Sequence, residues 1–129
     1  MNEKILEEDA FLVSETDEKG IITFANEDFC KMAGYELSEL LGQPHNIIRH
    51  LDMPKIAFKT LWDTITKGEV WTGFVKNLAK CGSYYWVFAT VYPFVSCGGK
   101  KGYLSCRRKP TKEEIDTHEA LYKQWKREE

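Results

Sequence analysis

From Trp71 to Arg108 the chain reads WTGFVKNLAKCGSYYWVFATVYPFVSCGGKKGYLSCRR. β-Branched and aromatic residues fill three runs, Trp71 to Leu78, Tyr84 to Phe94 and Gly102 to Arg108. The breaks between them, Lys80 to Ser83 and the Gly-rich Cys97 to Gly99, are turn sequence, so the stretch predicts three consecutive antiparallel strands. Upstream, Ala10 to Thr16 and Ile21 to Ala25 flank the turn cluster Asp17 to Gly20 and predict a strand pair.

The segment between the two β regions is helical but interrupted. Asn26 can cap a short helix carrying Phe29, Cys30 and Ala33 until Gly34 stops it. A second short helix is expected around Ser38 to Leu41, and a brief helical turn at Asn46 to His50, after the break at Gly42, Gln43 and Pro44. A longer helix follows, with Asp52 as the expected N-cap and Pro54 in the first turn. Its stripe of Ala57, Phe58, Leu61, Trp62 and Ile65 ends near Gly68. Beyond Pro110 a capping box of Thr111 and Glu114 opens a charged helix with Ile115, His118, Tyr122 and Trp125 on one side. The expected class is α+β: a five-stranded antiparallel sheet with short helices and one longer helix over one face, plus a C-terminal helix.

Composition narrows the function. At 129 residues, with 43% hydrophobic and 29% charged residues, the chain has the content of one ordinary globular domain. A formal net charge of -2 gives no sequence-wide field for nucleic acid or an anionic bilayer, and no apolar run is long enough to insert in a membrane. The start, MNEKILEEDAF, lacks the layout of a signal peptide, so a cytoplasmic location is expected. Cys30, Cys81, Cys97 and Cys106 form no CxxC pair and are read as free thiols. No paired carboxylates, Ser/His/Asp arrangement, phosphate-binding glycine loop or metal set is legible, which argues against an enzyme.

Alternation supplies the candidate site. In the second strand of the quoted stretch Tyr85, Val87, Ala89 and Val91 share one face, and Trp86, Phe88, Thr90 and Tyr92 the other. If the helices cover the Val87 face, Gly73, Val75 and Asn77 of the preceding strand point inward too. A buried amide left unpaired costs about 1–3 kcal/mol, so Asn77 meets either backbone or water near the strand end, or a ligand with matching polar atoms. Small residues Gly73, Ala89 and Ser105 leave room over the sheet, and Trp62 and Trp71 offer flat walls. The opposite face, with Phe74, Trp86, Phe88 and Tyr92, is too apolar to stay bare. A second copy of the chain, with the segment around Ile5 and Leu6 nearby, is the expected cover. Folding back of the chain's own last helix is the alternative.

These residues stand in a pattern that resembles the FAD-binding PAS domain of bacterial aerotaxis (energy-taxis) receptors, nearly end to end. The most specific stretch is Gly42-Gln-Pro-His-Asn-Ile-Ile-Arg-His-Leu-Asp-Met-Pro54. It is followed by Ala57-Phe58, Leu61-Trp62, Trp71-Thr-Gly73, Val75-Lys-Asn77 and Tyr85-Trp86-Val87. The resemblance implies an N-terminal segment at 1–9, a PAS sensor domain at 10–110 and a signalling helix at 111–129. It further implies that Arg49, His50 and Asp52 support FAD binding, Trp62 and Trp71 border the ring, and Asn77 bonds its polar edge. With Met53 and Phe58 from the matching motifs, the expected binding set is His45, Arg49, His50, Asp52, Met53, Phe58, Trp62, Trp71, Gly73, Val75, Asn77, Ala89 and Ser105. The family usually has a proline where Leu51 stands, so the loop here is freer. Light-sensing flavin PAS domains carry their reactive cysteine where this chain has His45, which leaves redox rather than adduct chemistry. His45 either senses the ring's charge or bonds backbone at a helix start. The implied role is a redox or energy sensor for aerotaxis, signalling to a chemotaxis transducer as a homodimer. FMN in place of FAD, a haem held by His45 or His50, and a ligand-free dimerisation module are the alternatives.

Overall fold

A computed structural model describes residues 2–129, and in it the quoted stretch forms β3 (Trp71–Leu78), β4 (Tyr84–Val95) and β5 (Lys101–Arg108). β1 (Leu12–Asp17) and β2 (Ile22–Ala25) complete one antiparallel sheet in the order β2-β1-β5-β4-β3. Between β2 and β3 run α1 (Glu27–Ala33), α2 (Leu37–Leu40), a 3-10 turn (His45–Ile48) and α3 (Lys55–Ile65). α4 (Lys112–Glu128) follows β5. This is the α+β architecture expected from the sequence.

Local chemistry sets the boundaries. Asn26 accepts a hydrogen bond from the Phe29 amide at the start of α1, and Gly34 ends the helix in the left-handed region at φ 77°. Thr111 and Glu114 form the reciprocal capping box of α4. α3 departs from expectation. Its N-cap is Pro54, with no side-chain cap, because the Asp52 carboxylate is drawn 2.9 Å from Lys76 Nζ on β3 instead.

β3 and β4 pair without a bulge, Gly73 opposite Ala89 and Asn77 opposite Tyr85, so residues of matching parity share a face. The inner face and the first helices bury Leu12, Phe29, Leu40, Tyr85 and Val87 completely. The outer face has its own core, in which Trp86, Met53 and Tyr122 are buried with Phe74 against them. Tyr122 and Trp125 belong to α4, and the Tyr122 hydroxyl donates 2.7 Å to the Phe74 carbonyl while its ring stacks on Trp86. The cover over Phe74 and Trp86 is therefore the chain's own last helix, not the second copy expected there. Nor does the N-terminal segment lie on that face. Lys4 and Asn2 bond the Tyr84 backbone beyond the end of β5, and Leu6 is buried in the inner core.

Candidate ligand-binding site

The inner core stops short of one end of the sheet. There Ala89 and Ser105 put little volume on the floor and α3 stands across from them, enclosing a cavity of about 400 Å³. That is within the roughly 300–1,000 Å³ typical of small-molecule sites. Val75, Asn77, Ala89, Val91 and Ser105 form its floor. Phe58, Leu61, Trp62 and Ile65 of α3 form its roof, and His45, Asn46, Ile48 and Arg49 close one side.

Its aromatic walls are held by close packing. Trp71 folds back over Gly73, where an added Cβ would come within 2.4 Å of the indole. Gly73 thus makes room for Trp71 rather than for a ligand. Trp62 stands edge-on to Tyr103 at 5.6 Å between ring centroids, and its indole reaches Gly20 at the turn after β1.

The polar side is unsatisfied. Asn77 is 3% exposed and its Nδ2 has no partner among the described residues, and the buried Ser105 Oγ has none there either. Each such group costs about 1–3 kcal/mol unless a bound molecule pairs with it. The cavity therefore fits a flat apolar ring with hydrogen-bonding atoms along one edge, as the flavin implied by the resemblance would be.

The charges of the lining are all of one sign. Arg107, buried on β5, donates from Nη1 to Ser14 Oγ at 3.1 Å and from Nη2 to His45 Nε2 at 2.8 Å, and lies 5.0 Å over the Phe29 ring. Burial lowers its pKa to about 10, which still leaves it a cation at neutral pH. Desolvation, then the Arg107 charge, drops His45 to about 3, so His45 is neutral. Because Nε2 accepts from Arg107, the proton sits on Nδ1. Arg49 stacks on Phe58 with its guanidinium carbon 3.6 Å from the ring centroid, and desolvation lowers its pKa. Lys19 adds a third cation and the lining holds no carboxylate, so an electron-rich or anionic ligand is favoured.

Of the expected set, His45, Arg49, Phe58, Trp62, Trp71, Val75, Asn77, Ala89 and Ser105 line this cavity. Gly73, His50, Asp52 and Met53 do not. His50 is buried with Nδ1 accepting from the Asp52 amide and its ring edge-on to Tyr84, Asp52 pairs with Lys76, and Met53 belongs to the outer core. The motif wraps around the edge of β3, which sends neighbouring residues to opposite sides. Arg107 and Ser14 were missed by sequence reasoning, although the alternation that turns Ser105 inward turns Arg107 inward too.

Comparison with known proteins agrees with this architecture. The family model described as the PAS fold matches residues 22–106, and the chain belongs to that family. It is 51% identical over 118 residues to the aerotaxis receptor of Escherichia coli (strain K12), covering 92% of this chain and 23% of the receptor. It is also 30% identical over 105 residues to the nitrogen fixation regulatory protein of Klebsiella pneumoniae, covering 81% of this chain and 21% of that protein. The chain thus spans under a quarter of the length of these relatives. Among solved structures, one described as "Flavin Analogue Sheds Light on Light-Oxygen-Voltage Domain Mechanism" superposes with a TM-score of 0.69. It shares 24% identity and covers 92% of this chain and 87% of its own. The dark structure of the blue-light photoreceptor Aureochrome1 LOV also gives 0.69, at 18% identity, over 88% of this chain and 86% of its own. At these identities the superpositions establish the fold alone.

Proposed function

We propose that the chain is a flavin-binding PAS sensor that holds FAD and reports its redox state, in aerotaxis signalling, to a chemotaxis transducer. The observation that carries the reading is the cavity itself: indole walls on an apolar floor, with the unpartnered Asn77 Nδ2 and Ser105 Oγ in its lining. The kinship with an aerotaxis receptor supports the role, and the flavin analogue named for the superposed light-oxygen-voltage domain supports the ligand class.

A bound flavin would supply reversible electron transfer, with the charge and protonation of its ring following its oxidation state. The chain's residues have separate tasks. Trp71 and Trp62 would sandwich the apolar part of the ring, and Asn77 and Ser105 would pair with its polar edge. Arg49 and Lys19 would face the phosphates with charge-assisted donors. His45, held neutral with its proton on Nδ1, is a donor that remains one across the physiological pH range.

The lining offers cations and neutral polar groups, which suits a site that binds and reports rather than one that turns over a substrate. A haem is disfavoured by the same geometry. His45 Nε2 is already engaged by Arg107, and His50 lies outside the cavity. A cytoplasmic location is part of the proposal. Among the described residues no helix is long and apolar enough to cross a membrane.

Homodimerisation is proposed through the strip of the outer sheet beside α4, around Phe88 and Tyr92. Light scattering should find a dimer that Phe88→Glu dissociates, and a wild-type monomer at high micromolar concentration removes that part. The decisive experiment on the ligand is mass analysis of the chromophore released from purified protein, with FAD added back to protein that carries none. FAD mass with a yellow two-band spectrum is expected. A released FMN would correct the cofactor, a haem spectrum would overturn the reading, and failure to take up added FAD would leave a ligand-free module.

A further inference from the structure

The chain between the cavity and the outer core passes around the free edge of β3. An edge strand presents unpaired backbone groups, and here they are met by the segment after the 3-10 turn rather than by another strand. Arg49 forms a backbone bridge with Asn77, and the Lys76 amide donates to Met53 Sδ at 3.3 Å. Within five residues the segment therefore changes sides. Arg49 lines the cavity, while Met53 belongs to the outer core with Trp86 and Tyr122 of α4.

Lys76 sits at the crossing. Its neighbours Val75 and Asn77 face the cavity, and its own side chain, 8% exposed, points the other way. The ammonium lies 2.9 Å from Asp52 of the segment, 3.8 Å from Glu119 of α4 and 4.5 Å from the Tyr84 ring centroid. A buried ammonium is costly to leave without its anions, so the segment and α4 cannot separate independently around it. A further tie joins the cavity's roof to the same helix region: the Lys55 amide at the start of α3 donates 2.9 Å to the Glu129 carboxylate.

We infer that Arg49–Met53 is a strap which carries the state of the cavity to α4 around the edge of β3, with Lys76 joining strap and helix. The inference takes its occupant from the proposed flavin site, but the strap itself does not depend on what that occupant is. A shift of Arg49 or of α3 against a bound ring moves Asp52 and Met53, and through them the docking of Glu119 and Tyr122. In this arrangement the sheet's hydrogen-bond ladder need not change.

Hydrogen exchange read by mass spectrometry tests it, on peptides covering residues 49–53 and 112–128, with added FAD as the probe. In wild type, FAD should slow exchange across α4. In Lys76→Met, which keeps the stem and removes the charge, the flavin-to-protein ratio at saturating FAD should stay the same. The slowing of α4 should shrink by roughly five-fold or more, the lower end of ordinary coupling between sites. Full retention of that slowing in Lys76→Met would overturn the strap. A second arm uses protein stripped of cofactor, because coupling acts equally in both directions. There Glu119→Gln, at a partly exposed site that should not endanger folding, is expected to speed exchange of residues 49–53 by roughly five-fold. Unchanged exchange in that arm also overturns the strap. If wild type takes up no FAD, the flavin reading fails and the second arm still decides this one.

Discussion

Acidification should destabilise the cofactor-free chain chiefly through His45. Its pKa falls from an ordinary 6.5 to about 3 in the folded state, through desolvation first and the Arg107 charge second. The groups packed on it are Arg107 of β5, Ser14 of β1 and the Phe29 ring of α1, and none offers a negative charge. A group whose folded pKa is depressed below its unfolded value takes up protons on unfolding. Its contribution is thus fully present above pH 6.5 and is lost as pH falls toward 3. Each pH unit in that window is worth about 1.4 kcal/mol, and pH 5 lies roughly one and a half units into it, so about 2 kcal/mol should be gone there. At typical urea slopes this lowers the unfolding midpoint by roughly 1 M. The measurement is urea unfolding at pH 7.5 and pH 5 for wild type and His45→Gln, which keeps an acceptor for Arg107 without the titration. His50, depressed mainly by desolvation, and the carboxylates contribute a background common to both proteins. An equal fall in midpoint in the two would refute the assignment.

Asn77→Ala should lower flavin occupancy while far-ultraviolet circular dichroism stays unchanged, because the unpaired Nδ2 is lost and no internal bond is; equal occupancy would exclude Asn77 from the ligand's edge. Gly73→Ala drives a Cβ to 2.4 Å from the Trp71 indole, so the ring must leave its place in the cavity wall, and flavin retention after gel filtration should fall further than in Ser105→Ala. Leu51 is 82% exposed, so Leu51→Pro should raise stability by about 0.4–1 kcal/mol through the unfolded chain, and a lower thermal midpoint would mean that the strap needs a backbone angle proline forbids.

Strand positions were legible because their signals are local. β3 runs over the residues that texture assigned to it, and alternation along β4 correctly sorts Val87 and Ala89 from Trp86. The caps of α1 and α4 are equally local, each a side chain bonding an amide three residues on. Where the chain turns a corner, local signals fail. His50, Asp52 and Met53 stand in the same short motif as Arg49, and the family resemblance placed all four at one site. Running along a strand edge instead, that motif serves two faces. Asp52 looked like a cap because nothing nearby in sequence competes for it, whereas its partner Lys76 is 24 residues away. The cover of the outer face was undetermined for a similar reason: the stripe on α4 requires an apolar partner but does not say whose. Arg107 at an inward strand position has no local signal of its own, because its hydrogen-bond partners Ser14 and His45 lie 93 and 62 residues away.

The two buried cations on opposite faces of the sheet show why a ligand belongs on one side and not the other. Lys76, outside, is met by Asp52 and Glu119 and has no electrostatic need left. Arg107, inside, is hydrogen-bonded by the neutral dipoles of Ser14 and His45 and lies over the Phe29 ring, with no carboxylate paired to it among the described residues. Neutral partners satisfy hydrogen bonds but return little of the desolvation cost of a full charge, so the inner face keeps an unspent preference for negative potential. Filling the cavity with an apolar molecule would bury surface without answering that preference, and would leave Asn77 and Ser105 unpaired as well. A ring with carbonyl-type acceptors answers both at once. The interaction should be felt as stability: a ligand present at a hundred times its Kd adds about 2.7 kcal/mol to the folded state. Bound FAD should therefore raise the thermal midpoint, and go on raising it with the logarithm of FAD concentration after the site is full, and an Arg107→Met chain, which keeps the volume and loses the charge, should gain less from the same FAD concentration than wild type does.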